Sequence, residues 1–596
     1  MDRIFEVGKT RMSERVDEST TIAATDTPPE APRTTKTARF KAPGLGVIAL
    51  WGLLVAPVVL ALAEALRSPR LNYWDFWRVF SITTDADGTL DPTTFVRLYN
   101  DHPVITVALT FWADAKFFAG SNWVLGVATV VLALCVFAAL WRMLPQQLTG
   151  HRRLAVLAAF SLLIFSSAAV DYYGAGWMGI QWFLGIAPAV VAISFAHHGR
   201  TVPAVVLGLV GSLGHGSAFP VWIALGLVAW LRRDRLWKVL LPLLMGLAVL
   251  ILWRLAAEPT VGDPPSILGA DTYLGSIASV LGRTWATLSA DTALFGGIAM
   301  LVLIGLAVVD SVKRRGTAIE LRAELTTPDV KGDAGWIGLI THMALAGVLV
   351  GVGRAKYSNV EGLTGRYSVI GLIAVAGLLA LLATRPIEKI QRNLVPIALV
   401  IGLGTYAVGS TNAAIVRKEY ATQPVLAVAM QAGADSVVKK MNAYPENLEK
   451  YRRFGIYPFT PDFTLGCGAN GPELGTAIDV SRAAVLPAVA PPTGERTAGF
   501  IEASTVSGDR KLIGWAFIDG EQADCVLVTD SSGTVVGGGA VGLPRRDVST
   551  GFDHVTGRAG WEAVAKPGLK DGLVFVSREG RLYRIASISG KDPANG

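Results

Sequence analysis

Between positions 44 and 413 the chain alternates long apolar runs with short polar interruptions. The runs fall at 44–66, 122–141, 153–170, 180–196, 202–213, 217–231, 238–257, 291–310, 334–353, 367–384 and 394–412. Most are long enough, as helices, to cross about 30 Å of hydrocarbon. The pattern predicts about eleven transmembrane helices. The fifth and sixth are short and separated by Gly214-His215-Gly216, a break tolerated at membrane depth where it lines a cavity or packs against protein. Residues 1–43 are rich in Thr, Pro, Arg and Glu without periodicity and read as a disordered arm. No cleavable signal peptide precedes the first span, which is expected to be retained as a signal anchor. Beyond the last span, 414–498 reads as a helical segment (417–454, broken at Pro445) followed by a Gly- and Pro-rich connection that ends in the linker Pro487–Pro492. From Gly499 the pattern changes to short strands: Lys511–Ile518, Cys525–Thr529, Thr534–Gly538 and Leu573–Ser577. Turn signals at Asp519-Gly520 and Ser532-Gly533 punctuate them. A β-sandwich over 499–596 is the expected last domain.

Composition agrees with the pattern. Of the residues, 51% are hydrophobic and 17% charged, against about 25% charged in ordinary globular chains. Soluble, disordered and fibrous classes are excluded, leaving a polytopic helical membrane protein. The net charge of +7 does not point to nucleic acid, because no basic groove with interleaved aromatics is present. The cations lie in short loops instead: Arg142–Arg153, His197–Arg200, Arg232–Lys238, Lys313–Lys331 and Arg385–Arg392. The alternate segments are poor in them. Asp171–Ile180 has no Lys or Arg, and Glu258–Asp291 has Arg283 alone. The positive-inside rule therefore predicts eleven spans with a cytoplasmic N-terminus and an exoplasmic tail. Of three cysteines, Cys135 lies in an apolar run as a small packing residue. Cys467 and Cys525 can pair if the tail is outside the cytoplasm. No Cys and His cluster has metal-ligand spacing.

The loop after the first span, about 55 residues from Arg67 to Ser121, is long enough to expect a function. It carries Asn72-Tyr73-Trp74-Asp75-Phe76-Trp77-Arg78 and Tyr99-Asn100-Asp101-His102. A carboxylate among aromatics at the membrane edge is favoured as a base. The alternative is an interfacial aromatic belt in which Asp75 pairs with Arg78. Other polar groups expected on the same side are His215, Gln181 with Trp182, and Arg354, Lys356, Arg366 and Tyr367 around the turn Gly353–Ser368. Cations at the hydrocarbon edge call for anions, supplied by a lipid phosphate or by ordinary headgroups. His342, inside the ninth run, reads as a helix-to-helix hydrogen bond. A carboxylate facing Arg, Lys and His fits group transfer from a lipid phosphate.

The order of these features resembles membrane glycosyltransferases of the GT-C type that use polyprenyl-phosphate sugars. The resemblance covers roughly 44–413 and rests on five short motifs: Trp74-Asp75-Phe76-Trp77, Asn100-Asp101-His102-Pro103, Met178-Gly179-Ile180-Gln181-Trp182, Leu213-Gly214-His215-Gly216, and Gly353-Arg354 with Thr364-Gly365-Arg366-Tyr367. Relatives often have two adjacent acids where this chain has Asp75. Pro103 stands at a basic position and His215 at an Asn. The resemblance implies an inverting transfer to an envelope glycan or glycolipid. Asp75 is then the general base and Asp101 the alternative base. Arg354 and Arg366 meet the phosphate, and His102, His215, Gln181, Lys356 and Tyr367 line the donor cavity. No cofactor is required, and a divalent cation at Asp75, Asp101 and His102 stays open. The tail resembles β-sandwich modules appended to actinobacterial envelope glycosyltransferases, through Gly514-Trp515-Ala516 and Arg545-Arg546-Asp547-Val548. Trp515 is there a candidate for stacking on a glycan, with a buried core tryptophan as the alternative. High Ala, Val and Gly usage fits an actinobacterial source, with arabinan or mannan as acceptors. Two other readings stay open. One is a non-catalytic envelope assembly protein that binds glycan. The other is a transporter or lipid flippase, disfavoured by the lack of repeated halves and of ionisable groups at the midplane.

Overall fold

The apolar runs become helices whose ends lie within a few residues of the expected ones, except where a helix runs on into polar sequence. The computed structural model describes residues 44–95, 99, 102–256, 269–317, 332–358, 360–385, 387–468, 471–488, 494–507 and 509–588. The arm 1–43, Asn100 and Asp101 lie outside the described residues, as does most of the basic loop Lys313–Lys331. Among the described residues nine helices are long and apolar enough to cross a membrane. They run from Leu45–Arg67 and Asn122–Met143 through to Gly365–Thr384 and Leu394–Arg417. Thr201–Ser212 and Gly216–Leu231 are shorter apolar helices. The protein is a multi-pass membrane protein.

Burial sorts these helices. The span Gly150–Gly174 is 89% buried by its neighbours and Gly365–Thr384 is 83% buried, whereas Leu236–Ala256 is 11% buried. A helix apolar all round with so little protein cover presents its leucines to lipid. Cys135 is on such a surface: it is exposed rather than packed as expected. Inside the bundle, small residues set how closely backbones approach. A Cβ on Gly282 would lie 1.7 Å from the Ala293 carbonyl oxygen, and one on Gly297 1.9 Å from that of Ala278. The helices Ala270–Gly282 and Ala290–Thr317 therefore cross at mutual glycines. His342 is fully buried, and neither ring nitrogen has a partner among the described residues. The expected hydrogen bond between helices is absent because its helix buries mainly aliphatic and small side chains around it.

The tail does not stand apart from the bundle. Tyr73, Phe76, Trp77, Phe80 and Phe111 of the long loop share one apolar core with Val425, Leu426, Met430 and Tyr451 of the tail helices and with Ile456 just beyond them. The same core includes Leu527, Val564 and Phe575 of the sheet. The helix Gln423–Ala432 thus lies between loop and sheet, and the expected boundary at 498/499 is not a gap in packing.

Among the described residues nine strands follow: β1 Ala484–Val485, β2 Ala498–Ser507, β3 Asp509–Ile518, β4 Glu521–Gln522, β5 Cys525–Asp530, β6 Val535–Leu543, β7 Gly560–Ala565, β8 Gly572–Arg578 and β9 Arg581–Ile588. Where a two-sheet sandwich is expected, they hydrogen-bond into one sheet of order β1-β9-β8-β5-β6-β7-β3-β2, with β4 paired to β3. The sheet rolls up. Leu486 N–H donates to the Arg584 carbonyl (2.8 Å) and Gly499 N–H to the Pro487 carbonyl (3.3 Å), so the segment after β1 links the two edges. The curvature has local causes. Bulges interrupt the register at Ile501/Ala503, Val528/Thr529, Val541/Leu543 and Val574/Phe575, and a bulge bends its strand and increases twist. Leu512, Val526, Trp561, Val574 and Val576 fill the inside of the roll.

Cys467 and Cys525, 58 residues apart, form a disulfide that ties the connection to β5. Replacing Cys525 by alanine is expected to lower stability by about 2–4 kcal/mol. In thermal unfolding, dithiothreitol should produce the same loss in the wild type and none in the variant.

Candidate functional site at one end of the bundle

The long loop builds its carboxylate on a strained turn. Trp74 has φ 53°, a left-handed conformation costly for a bulky side chain and typical of functional turns. Its geometry is held on both sides. Trp77 N–H donates to the Trp74 carbonyl (3.1 Å), and the Trp77 indole donates to the Asn72 carbonyl (2.7 Å). Immediately after the turn, Asp75 opens the helix Asp75–Thr83, whose Phe76, Trp77, Val79 and Phe80 are buried. Asp75 itself is half-buried. Its carboxylate accepts a hydrogen bond from the Tyr99 hydroxyl at 2.6 Å. Burial first, and then the Asp75 charge, hold the Tyr99 phenol above its ordinary range, so it stays a donor. Arg78 does not pair with Asp75. Its guanidinium lies over the Tyr99 ring, 5.0 Å from the centroid.

From Tyr99 the contacts continue across the motifs. Tyr99 and His102 exchange backbone hydrogen bonds (2.9 and 3.2 Å), which holds these two positions together. The His102 ring lies 4.3 Å from that of His215, which is 4.3 Å from Trp182, which is 5.6 Å from Tyr367. Arg366 lies over the Tyr367 ring at 5.4 Å. Arg354 is close enough for its charge to act on His215. His215 is fixed by its own break: Ser217 N–H donates to Nδ1 at 3.1 Å, so the neutral ring carries its proton on Nε2. Gly185 makes room for it, since a Cβ there would lie 2.8 Å from the His215 Cβ. Five short motifs, spread over nearly three hundred residues, meet at one end of the bundle.

Two expected members are not drawn into this chain. Lys356 is exposed beside Tyr357. Gln181 is buried, but it stands one position before Trp182 and so about 100° around the helix from it. Trp515 is 6% exposed, with its ring packed on Phe517 (5.6 Å) and Phe552 (5.4 Å). It belongs to a small core under the helix Arg546–Gly551 and offers no open face for stacking on a sugar. Among the described residues no three His, Cys, Asp or Glu side chains form a metal-holding group, and Asp101 lies outside them.

The structure adds residues that the sequence did not single out. Asp114, on the helix Ile105–Phe118, is buried beneath the Asp75 turn. It accepts from Asn72 Nδ2 (3.3 Å) and Ser121 N–H (3.3 Å). Burial pushes its carboxyl up to about 8, against the partial opposition of those two donors. Asp171 and Arg283 are both buried and act on each other electrostatically. Asp171 Oδ2 would lie 2.0 Å from a Cβ on Gly365, and the Tyr172 hydroxyl donates to the Arg366 carbonyl. These groups hold the turn that carries Arg366. Around the His215 break, Thr106 Oγ, Trp253 Nε1 and the Tyr367 hydroxyl are buried without a hydrogen-bond partner among the described residues. Such orphaned groups are uncommon in native interiors. An acid within an apolar helix, as at Ala113-Asp114-Ala115, was the one sequence signal available for any of these.

The arrangement offers a carboxylate with a phenol donor, a pair of imidazoles meeting edge to face, and two guanidinium groups beside donors without a partner among the described residues. Comparison with protein-family models, with curated proteins and with solved structures returned no match.

Proposed function

We propose that the protein is an inverting glycosyltransferase of the GT-C type. It moves a sugar from a polyprenyl-phosphate donor to a cell-envelope glycan or glycolipid. The observation that carries this reading is the unbroken run of contacts from Asp75 through Tyr99, His102, His215 and Trp182 to Tyr367 and Arg366. A carboxylate and the Arg366 guanidinium thus belong to one constellation at the end of a membrane bundle, which supports the reading. In the reaction an acceptor hydroxyl oxygen attacks the anomeric carbon and loses its proton to Asp75. The bond from the anomeric carbon to the phosphate oxygen breaks, and polyprenyl phosphate leaves with the electron pair. Arg354 and Arg366 stabilise the charge that develops on that phosphate. Thr106, Trp253 and Tyr367 supply donors that have no partner among the described residues.

The chemistry is assigned to the exoplasmic face of the plasma membrane, with eleven spans when the two shorter helices are counted. The positive-inside pattern supports this orientation. So does the Cys467–Cys525 disulfide, because such bonds persist outside the reducing cytosol. A Ser531→Cys substitution in a Cys135→Ser background should react with an impermeant maleimide on intact cells. Labelling that requires permeabilisation would overturn the orientation. The function itself is tested by the envelope glycan and glycolipid profile of a deletion strain. A defined glycan should be lost and should return with the wild-type gene. An unchanged profile refutes the assignment.

A further inference from the structure

The structure holds a concave site, away from the His102–His215 pair, where loop, tail and sheet meet. This cleft of about 360 Å³ has a floor at Pro69–Leu71, one wall from the helix Gln423–Ala432, and others from 457–466 and from β6 with Asp524. Its walls are fixed. Gly466 and Asp524 each immediately precede a cysteine of the disulfide. The Tyr457 N–H donates to the Ala119 carbonyl (2.8 Å), and Asn122 N–H to the Arg70 carbonyl (2.9 Å). The floor leads into the Asp75 turn: Leu71 is four residues from Asp75, so their backbones are separated by at most about 14 Å.

The lining selects among ligand classes. Tyr457 and Phe463 present aromatic rings 6.1 Å apart. The lining leaves one carboxylate unopposed: Arg70 pairs with Asp462 and also covers the Tyr457 ring at 4.7 Å, and no cation pairs with Asp524 among the described residues. Asp524 accepts from the Glu579 N–H at 2.7 Å with one oxygen. An anion such as a phosphate needs an uncompensated cation, and Arg70 is already neutralised. A peptide added as a strand needs a free sheet edge, and β5 and β6 are paired on both sides. A neutral saccharide fits: its ring has an apolar face for an aromatic wall and a rim of hydroxyls for Asp524, Thr464 and backbone groups.

We infer that this cleft is an acceptor subsite that holds inner sugars of an oligosaccharide while its end reaches Asp75. The inference rests on the proposed glycosyltransferase reading for the role of Asp75, but not for saccharide binding itself. The protein would then extend oligosaccharides in preference to single sugars.

The test is equilibrium binding of fluorescently tagged arabinan and mannan hexasaccharides to the full-length protein in detergent. Wild type should bind at least one of the probes. Thr464→Trp, which fills the cleft from an exposed position, should weaken binding at least tenfold at an unchanged unfolding temperature. If that variant is misfolded, Phe463→Ala takes its place with the same expectation. Asp75→Asn should bind as wild type does. The inference is overturned if neither probe binds wild type, or if a folded cleft variant binds as well as wild type. Should the cleft variants lose binding while Asp75→Asn still restores the glycan in cells, the subsite stands and the catalytic assignment falls.

Discussion

Asp75→Asn is expected to lower sugar transfer by about 10²–10⁴-fold, the usual contribution of a general base, with no loss of protein from the membrane. Asparagine keeps the size of the side chain and retains an oxygen to accept the Tyr99 hydroxyl, now 2.6 Å from the carboxylate. The strained Trp74 turn and the helix that follows are therefore undisturbed, and the change removes basicity alone. The measurement is the glycan profile of the deletion strain complemented with the variant, beside its rate of transfer in isolated membranes. Full restoration at equal abundance shows that Asp75 is not the base. Asp101, the alternative acid of the same loop, then becomes the one to replace. If that change is also silent, the assembly-protein reading moves ahead.

The second large effect concerns stability and pH. In an unfolded chain the Asp114 carboxyl titrates near 3.8, and burial in the folded protein pushes it up to about 8. The folded state therefore holds this proton more tightly than the unfolded state does. Relative to this group, stability is fully present below about pH 4, falls as pH rises from there to about 8, and is level above that. The whole span is on the order of 5 kcal/mol. An Asp114→Asn variant has no proton to lose. Its unfolding temperature should exceed that of the wild type by an amount that grows between pH 5 and pH 8 and then stays constant. A pH-independent difference would rule out titration of Asp114 as the cause. Because Asp114 anchors Asn72, at the base of the Asp75 turn, wild-type activity should also fall on the alkaline side more steeply than that of the variant.

Asp114 also marks where sequence reading stops. Its helix, Ile105–Phe118, and the helix Asp75–Thr83 lie in what reads as one polar loop. Their apolar faces are short and are satisfied by the tail, so neither gives a long periodic signal. The same holds for β2, β7 and β9. Lys511–Ile518, Cys525–Thr529, Thr534–Gly538 and Leu573–Ser577 stand out locally, whereas β2, β7 and β9 become strands through their partners. The appended-sandwich expectation misses for a related reason. Bulges and the close of Leu486 and Pro487 onto both edges roll a single sheet, and the register that creates bulges is a property of pairs of strands.

By itself the sequence determined the membrane class, the span limits to within a few residues, and the order of the candidate motifs. Each is local: an apolar run of sufficient length has no water-compatible alternative, and its ends are set by its own charges. The tertiary structure decided which of those motifs touch. His102 meets His215 because Gly214, Gly216 and Gly185 leave space at one helix break. Lys356 lies exposed over the Tyr357 ring, Trp515 is covered, and Cys467 meets Cys525 across 58 residues. Such contacts depend on how distant surfaces pack, and packing is selected by the whole bundle together with its tail.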